Sequence, residues 1–207
     1  MSLTRRQACV LAAAAMAAPD VARAEAPPPP IFFVELGAKA PSRATYEEAI
    51  GRGADFLTAP VAASSDGGLI VAPNNELSVF TDIASRPDLA GRRRDKTADG
   101  VTYSGWFSED FTLPELRSLL TGPAKAGGRA LAAPPTLLSL QEVIDIARAG
   151  SIGAARVVGV SPRLIRPAYF AAQGLDLEKR LADLIRLNGY DSPAAAMIVQ
   201  SGEPAAL

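Results

Sequence analysis

Short apolar runs alternate with amphipathic stretches along most of the chain, and this alternation predicts the fold class. Five runs have the length and flanking turn residues of strands: 31–34, 55–63, 69–72, 155–160 and 195–201. Pro60 is unusual inside a strand, because proline cannot donate a hydrogen bond to a neighbour. Strands and helices follow one another as in a parallel sheet, so the pattern predicts an α/β protein.

Four stretches have the apolar periodicity and the end signals of helices. The predicted helices and their capping or stop residues are 45–51 (Thr45 with Glu48), 114–120 (Thr112 with Glu115), 139–150 (Ser139 with Glu142) and 175–189 (Asn188 with Gly189). The last has the strongest apolar stripe, which predicts a helix packed along one side of the sheet.

Residues 73–136 show no regular apolar periodicity apart from the second predicted helix. This irregular stretch predicts a long insertion after strand two. A connection of this length inside a compact domain commonly forms a lid or part of a binding site. We expect the run Arg92–Arg94 to form a solvated loop, with contact to phosphate as the alternative. Trp106 and Phe107 are expected to pack within the insertion.

The first residues have the layout of an export signal. Arg5 and Arg6 precede an alanine-rich apolar stretch, and Ala22 and Ala24 supply small residues near a cleavage site. Residues 1–24 are therefore predicted to be a signal of the twin-arginine type, which implies a periplasmic or secreted protein. A disordered alanine-rich tail is the alternative. Residues 25–30 predict a proline-rich spacer, and 31–207 predict the folded domain.

The amino-acid composition excludes more kinds of catalysis and metal binding than any single motif does. The 207 residues contain no histidine, and the single cysteine, Cys9, lies within the predicted signal. Imidazole bases, Ser-His-Asp triads, histidine-bound zinc and thiol chemistry of the mature domain are thereby excluded. The formal net charge of −1 gives no bias towards nucleic acid, and no apolar run after residue 24 is long enough to predict a membrane span.

Several segments together resemble the glycerophosphodiester phosphodiesterases, in particular the periplasmic, calcium-dependent type. The matching segments are "EEAIGRGADFL", "SSDGGLIVAPNNELSVFTDIASRP", "DGVTYSGWFSEDFTLPELRSL", "PTLLSLQEVIDIAR", "VVGVSPRLIRPAYFAAQGLDLEKRL" and "IVQSGE". The resemblance covers about residues 31–203. It implies a TIM barrel that uses a divalent cation, usually calcium, to cleave glycerophosphodiesters into an alcohol and glycerol 3-phosphate.

The resemblance also implies where the chemistry of the family would lie. Its catalytic positions correspond to Glu35, Leu36, Gly37, Pro73 and Ile165, and its metal-binding positions to Thr58, Pro60 and Arg163. An acidic residue that follows the second catalytic histidine in the family corresponds to Asn74. Only Gly37 matches the family. The resemblance therefore predicts a degenerate member that binds no cofactor and has lost the hydrolytic mechanism.

The strand pattern predicts an incomplete barrel. A complete eight-unit barrel needs about 250 residues, whereas the pattern supplies about four parallel strands and ends soon after "IVQS". We therefore expect a C-terminally truncated, partial TIM barrel with an unpaired strand edge. Such an edge favours self-association.

Two other functions stay open at the sequence level. The protein could be an interaction or anion-binding module that uses the exposed sheet edge, with Lys39, Arg163 and Arg166 holding an anion without metal. Alternatively, it could be an active hydrolase in which Glu35 acts as the base, with Asp55 or Asp66 as its partner. If the family's chemistry is lost, Glu35 and Arg163 could instead pair with each other, so that a salt bridge stands where the family has its base and its metal.

Overall fold

The computed structural model describes residues 31–34, 40–98, 100–122, 125–126, 129–130 and 134–203. The described residues belong to one compact unit that begins at Ile31. The predicted signal, the spacer and the predicted site residues Glu35, Leu36, Gly37 and Lys39 lie outside the described residues.

Extended segments form one main sheet and two small hairpins. The strands are β1 (Phe33–Val34), β2 (Phe56–Ala63), β3 (Leu69–Val71), β4 (Arg94–Ala98), β5 (Val101–Gly105), β6 (Lys125–Ala126), β7 (Arg129–Ala130), β8 (Gly159–Leu164) and β9 (Gln200–Ser201). The helices are α1 (Arg43–Gly51), α2 (Leu113–Arg117), α3 (Leu140–Ala154), α4 (Pro167–Ala172) and α5 (Leu177–Leu187). Short 3-10 turns occupy Ile83–Ser85, Pro87–Arg92 and Ser108–Asp110.

The main sheet has the order β1-β2-β8-β9, and these four strands are parallel. β3 lies antiparallel along the end of β2. The prediction of a partial TIM barrel with about four parallel strands and a long insertion after the second is confirmed, and the sheet does not close on itself within the described residues.

The two faces of the sheet have different surroundings because side chains alternate along each strand. Leu57, Val61, Val160 and Leu164 point to one face, where they are buried in the core shared with α1 and α3. The other face carries residues that are partners in register across neighbouring strands: Phe33 and Phe56; Thr58 and Ser161; Pro60, Arg163 and Gln200. In a closed barrel this second face lines the interior, and we call it the inward face.

Pro60 lies in the middle of β2, and the hydrogen-bond alternation explains how the sheet accommodates it. The amide of Gly159 donates to the carbonyl of Asp55 and that of Ile165 to Val61, so odd-numbered residues of β2 bond to β8. The nitrogen of Pro60 consequently faces away from β8. Its carbonyl still accepts from the amide of Ala72 at 2.9 Å.

Several helix boundaries differ from those predicted. Helix α1 begins one turn earlier than expected, because Ser42 is its N-cap and forms a reciprocal capping box with Thr45. Helix α3 continues past Gly150 and ends only where Ala155 adopts a left-handed conformation. The following strand therefore begins at Gly159, later than the predicted run 155–160. Sequence periodicity also missed α4, which is too short to show a helical repeat.

The insertion is more regular than its sequence suggests. Strands β4 and β5 form an antiparallel hairpin, and α2 has the predicted capping box of Thr112 with Glu115. Trp106 and Phe107 are buried, as expected, and the indole nitrogen of Trp106 donates to the carbonyl of Leu89.

The arginine run Arg92–Arg94 is solvated, as expected, because Arg93 and Arg94 are exposed. It is not a loop throughout, because Arg92 ends a 3-10 turn and Arg94 begins β4. The guanidinium of Arg92 lies 2.7 Å from the carboxylate of Glu115 and over the ring of Phe111. Arg93 lies over the ring of Trp106. These contacts give the run a structural role.

Within the part of the chain described, no helix is long and apolar enough to cross a bilayer.

Candidate active site

Four of the predicted site residues lie on the paired part of β2 and β8 or just after β8. Pro60 and Arg163 are partners in register, and Thr58 lies one step earlier on the inward face, opposite Ser161. Ile165 follows β8, and its amide donates to the carbonyl of Val61 at 3.0 Å. The carboxyl ends of parallel barrel strands are where TIM-barrel enzymes place their chemistry. The structure therefore places these positions where the sequence comparison expected a site.

The donors on β2 do not suit calcium. Thr58 is 3% exposed, and its hydroxyl has no hydrogen-bond partner among the described residues. Its carbonyl accepts a hydrogen bond from the hydroxyl of Tyr46 at 3.0 Å, and burial raises the pKa of that phenol. Pro60 offers no side-chain donor. Calcium needs about six to eight oxygen ligands, several of them carboxylates, and this pair supplies no carboxylate.

Arg163 adds positive charge where the family would bind its cation. A guanidinium repels a divalent ion, which opposes any residual affinity of Thr58. Among the described residues, no group of three or more Asp, Glu, His or Cys side chains is arranged to hold a metal. The described residues at this position do not fit calcium.

Arg166 lies beside Arg163 and is anchored to the segment that follows β3. It has a left-handed backbone, with φ of 47°, and precedes α4. Its guanidinium donates to the amide oxygens of Asn74 (3.1 Å) and Asn75 (2.8 Å) and lies over the ring of Tyr103. Asn74, the counterpart of an acidic residue in the family, is therefore held by a cation of this chain.

A cleft of about 500 Å³ opens at the carboxyl ends of β8 and β9. Arg163 and Arg166 line it together with Gly202 and Glu203. The carboxylate of Glu203 accepts a hydrogen bond from the amide of Ala168 at 3.1 Å. The cleft is thus lined by two arginines, Arg163 and Arg166, and by one carboxylate of the chain, that of Glu203. Lys39, the third predicted anion-binding residue, lies outside the described residues.

A buried carboxylate, Glu109, joins the insertion to helix α4. Its side chain is only 3% exposed and accepts from the ammonium of Lys96 at 3.0 Å and from the hydroxyl of Tyr169 at 2.5 Å. The amide of Asn75 approaches it at 3.4 Å, which links Glu109 through Asn75 to Arg166. Burial and the bond to Glu109 raise the pKa of Tyr169, so this phenol stays protonated.

A second buried carboxylate, Glu76, is committed to the backbone. It accepts from the amides of Ser78 (3.0 Å) and Trp106 (3.3 Å). A Cβ atom on Gly105 would lie 2.1 Å from the same carboxylate oxygen, so only glycine fits there. Glu76 and Glu109 therefore organise the insertion and are bound by donors of the chain itself.

The carboxylates proposed as partners of Glu35 have structural roles. Asp55 lies at the amino end of β2, the opposite end of the parallel sheet from the site, and pairs with Arg156 at 3.3 Å. Asp66 shapes the turn after β2, and its pKa is lowered by the hydroxyl of Ser64 at 2.5 Å despite partial desolvation. Asp55 therefore lies away from the carboxyl ends of the strands, whereas Asp66 follows the carboxyl end of β2 and is held by the contacts of its turn. A catalytic role for either residue stays a prediction. Glu35 itself lies outside the described residues.

The sequence analysis missed the network of Glu109, Lys96, Asn75 and Tyr169. These residues are separated by up to 94 positions in the chain, and none belongs to a motif with a spacing rule. The segment "GWFSEDFTL" that carries Glu109 does belong to a long stretch that resembles the family, and this was the available signal.

Comparison with known proteins supports a family. No family model matches the chain. It is 30% identical over 156 residues to the glycerophosphodiester phosphodiesterase GDPD6 of Arabidopsis thaliana, covering 70% of this chain and 40% of that protein. The chain thus spans less than half the length of this relative.

Solved structures agree on the fold. A phosphodiesterase of Oleispira antarctica in complex with the product sn-glycerol-3-phosphate aligns with a TM-score of 0.56 at 18% identity, over 86% of this chain and 59% of that one. A glycerophosphodiester phosphodiesterase of Agrobacterium tumefaciens gives 0.53 at 16% identity, over 86% and 60%. The sequence relative and these folds together support a glycerophosphodiester phosphodiesterase family for this chain.

Proposed function

We propose that this chain is an exported, degenerate member of the glycerophosphodiester phosphodiesterase family that does not hydrolyse phosphodiesters. One observation carries the proposal: the positions that would hold metal in such a barrel contain Thr58, Pro60 and Arg163, side by side on β2 and β8. They supply neither the carboxylates that calcium needs nor an imidazole for proton transfer. The absence of histidine from all 207 residues supports the same conclusion.

Glu76 and Glu109, the two buried carboxylates of the insertion, could take over the lost roles only by giving up their present partners. Glu109 is bound by Lys96 and Tyr169, and Glu76 by backbone amides. Recruiting either one would leave its partners buried and unpaired, which costs about 1–3 kcal/mol for each group. The proposed role is therefore that of a non-catalytic protein of this family, exported by residues 1–24.

The test is a calcium titration of the full chain, followed by thermal melting and by release of glycerol 3-phosphate from a glycerophosphodiester. We expect one melting temperature with and without calcium, and no product. A calcium-dependent rise in melting temperature, or product formed at a rate that scales with enzyme, would overturn the proposal. An active relative assayed in parallel controls for the substrate.

The cleft beside Arg163 and Arg166 favours a second candidate, metal-free binding of a small anion. Two guanidinium groups in one cleft can form charge-assisted hydrogen bonds to a phosphate or carboxylate. Calorimetry with inorganic phosphate tests this candidate, with Arg163→Gln as the variant and Arg148→Gln on α3 as the matched control. We expect binding that only Arg163→Gln weakens. No heat with the unmodified chain would discard the candidate.

A further inference from the structure

A second cleft, of about 400 Å³, lies between helix α5 and the turn that joins β2 to β3. It shares no residue with the cleft beside Arg163 and Arg166. Sites for small molecules commonly have about 300–1,000 Å³ and mainly apolar walls. Here the apolar wall consists of four leucines, Leu69, Leu113, Leu184 and Leu187. Leu187 is 81% exposed, so apolar surface faces solvent in this cleft.

Arg180 adds a positive charge to this apolar wall. It lies four residues before Leu184 and seven before Leu187 on α5, which places the three side chains on one side of the helix. Its Nη1 donates to the carbonyl of Gly67 at 3.2 Å. A Cβ atom on Gly67 would overlap the guanidinium, so this glycine lets the group lie against the turn. The charge is thereby held in a defined place in the cleft.

The chain leaves much of the bonding capacity of Arg180 unused. Among the described residues, Arg180 forms no ion pair, and its bond to Gly67 is to a neutral carbonyl. Its Nη2 has no hydrogen-bond partner in that part of the chain, and its buried Nε has none either. A guanidinium has five N–H donors and forms its strongest hydrogen bonds with carboxylates and phosphates. Arg180 can therefore accept an anionic partner.

The other polar side chains of the cleft are already bonded within the chain. The bonded groups are Ser139 with Glu142, Gln141 with Asn188, and Asp183 with Lys179 and Arg186. The two cations beside Asp183 offset its negative charge. The donors left for a ligand are consequently those of Arg180, and the remaining contacts of a ligand would be with leucines.

From these observations we infer that the cleft binds a monocarboxylate with an apolar chain, in the chemical class of a medium-chain fatty acid. The planar fork of a guanidinium matches a carboxylate, and one cation balances one negative charge. The leucines remove the apolar chain from water. Inorganic phosphate would gain nothing from these leucines. The inference does not depend on the proposed function, because no residue of this cleft corresponds to a catalytic or metal-binding position of the family.

The first test is calorimetry of the full chain with decanoate, kept below the concentration at which it forms micelles. We expect saturable binding at one site. Arg180→Gln should raise the dissociation constant at least about tenfold, because it removes the charge that holds the carboxylate. Arg52→Gln is the matched control, since Arg52 is exposed on α1 and does not line the cleft. No saturable heat, or equal binding by Arg180→Gln, would overturn the inference.

A second variant tests the place of the apolar chain without altering the core. Leu187→Glu should weaken decanoate binding at least about tenfold, because it puts a negative charge in the apolar wall. Ile152→Glu is its control: Ile152 is 84% exposed on α3, outside the cleft, and its variant should bind like the unmodified chain. Circular dichroism and thermal melting verify that each variant is folded. Unchanged binding by Leu187→Glu would contradict the proposed site.

Two related ligands separate the roles of charge and chain. Decanol lacks the negative charge, and inorganic phosphate lacks the apolar chain, so each should bind at least about tenfold more weakly than decanoate. Equal binding of decanol would show an apolar groove without a role for Arg180. Equal binding of phosphate would show a general anion site. Either result would make the inference wrong.

Discussion

Individual side chains decide what this barrel end can do. Pro60 and Arg163 offer no carboxylate on the inward face of β2 and β8, and the buried carboxylates of the insertion are bound by donors of the chain. Under the proposed function, this is why the barrel end binds no cation. Glu109 is an example of such a bound carboxylate. Its side chain is 3% exposed, so hydrogen bonds from its partners are needed to offset the loss of hydration.

We predict that Glu109→Gln destabilises the fold by about 1–3 kcal/mol, because Lys96 and Tyr169 lose a charged acceptor in a buried position, although Lys96 keeps its contact with Asp110 at 2.7 Å. Glu47→Gln is the matched control, since Glu47 is exposed and only 3.7 Å from Arg43; its effect should be about 0–1 kcal/mol. Urea unfolding measures both. Equal effects would show that Glu109 does not anchor the insertion.

A second prediction concerns the backbone at Ala155, which has φ of 51°. Ala155→Gly should stabilise the protein by about 0.5–1 kcal/mol, because glycine adopts this conformation without a Cβ clash. Ala154→Gly, one residue earlier in regular helix, should destabilise it by a similar amount. Thermal melting of the pair checks both signs. A loss of stability in Ala155→Gly would contradict the left-handed cap.

At the level of elements, capping boxes connect the sequence to the structure most directly. The backbone amide of Thr112 lowers the pKa of Glu115 despite some desolvation, and the hydroxyl of Thr112 and the Arg92 guanidinium lower it further. Since Arg92 belongs to the 3-10 turn before β4, this one carboxylate joins two elements of the insertion. Its charge therefore matters for the whole segment.

We predict a pH-dependent effect for Glu115→Gln. A carboxyl group with a lowered pKa in the folded state contributes stability above its unfolded pKa of about 4.3, and this contribution is lost as the pH falls through the folded value. The variant should therefore be less stable than the unmodified chain at pH 7 and should approach it at pH 3. Urea midpoints at the two pH values test the difference. An unchanged difference would mean that the charge contributes nothing.

At the level of the whole molecule, stability and association are expected to be coupled. If the unpaired strand edge mediates self-association, as the sequence analysis expects, folding is favoured by mass action, and the melting temperature should rise with protein concentration. Ile198→Lys, next to the edge strand β9, should remove this dependence, whereas Ile152→Lys on the exposed side of α3 should keep it. Scanning calorimetry over a hundredfold range of concentration is the measurement. If the melting temperature of the unmodified chain does not change with concentration, association does not stabilise the fold and the prediction is wrong.

The sequence by itself determined the fold class, because strand runs, capping residues and helix stripes are local patterns with known periods. It also predicted which positions would meet at the barrel end: Thr58, Pro60 and Arg163 do lie together. Local sequence patterns did not predict the elements whose position depends on long-range contacts. The hairpin β4–β5, the short helix α4 and the boundary of β8 depend on packing that no window of sequence contains.

Tertiary structure alone decided the roles of single polar residues. Glu109, Lys96 and Tyr169 come from distant parts of the chain, and only folding brings their charges into one buried network. It also separated Asp55 from the site by placing it at the other end of a parallel strand. Apolar periodicity can be read within a short window of sequence. The pairing of charges depends on which distant segments the fold brings into contact. For this reason the sequence predicted the barrel, and the structure assigned its polar contacts.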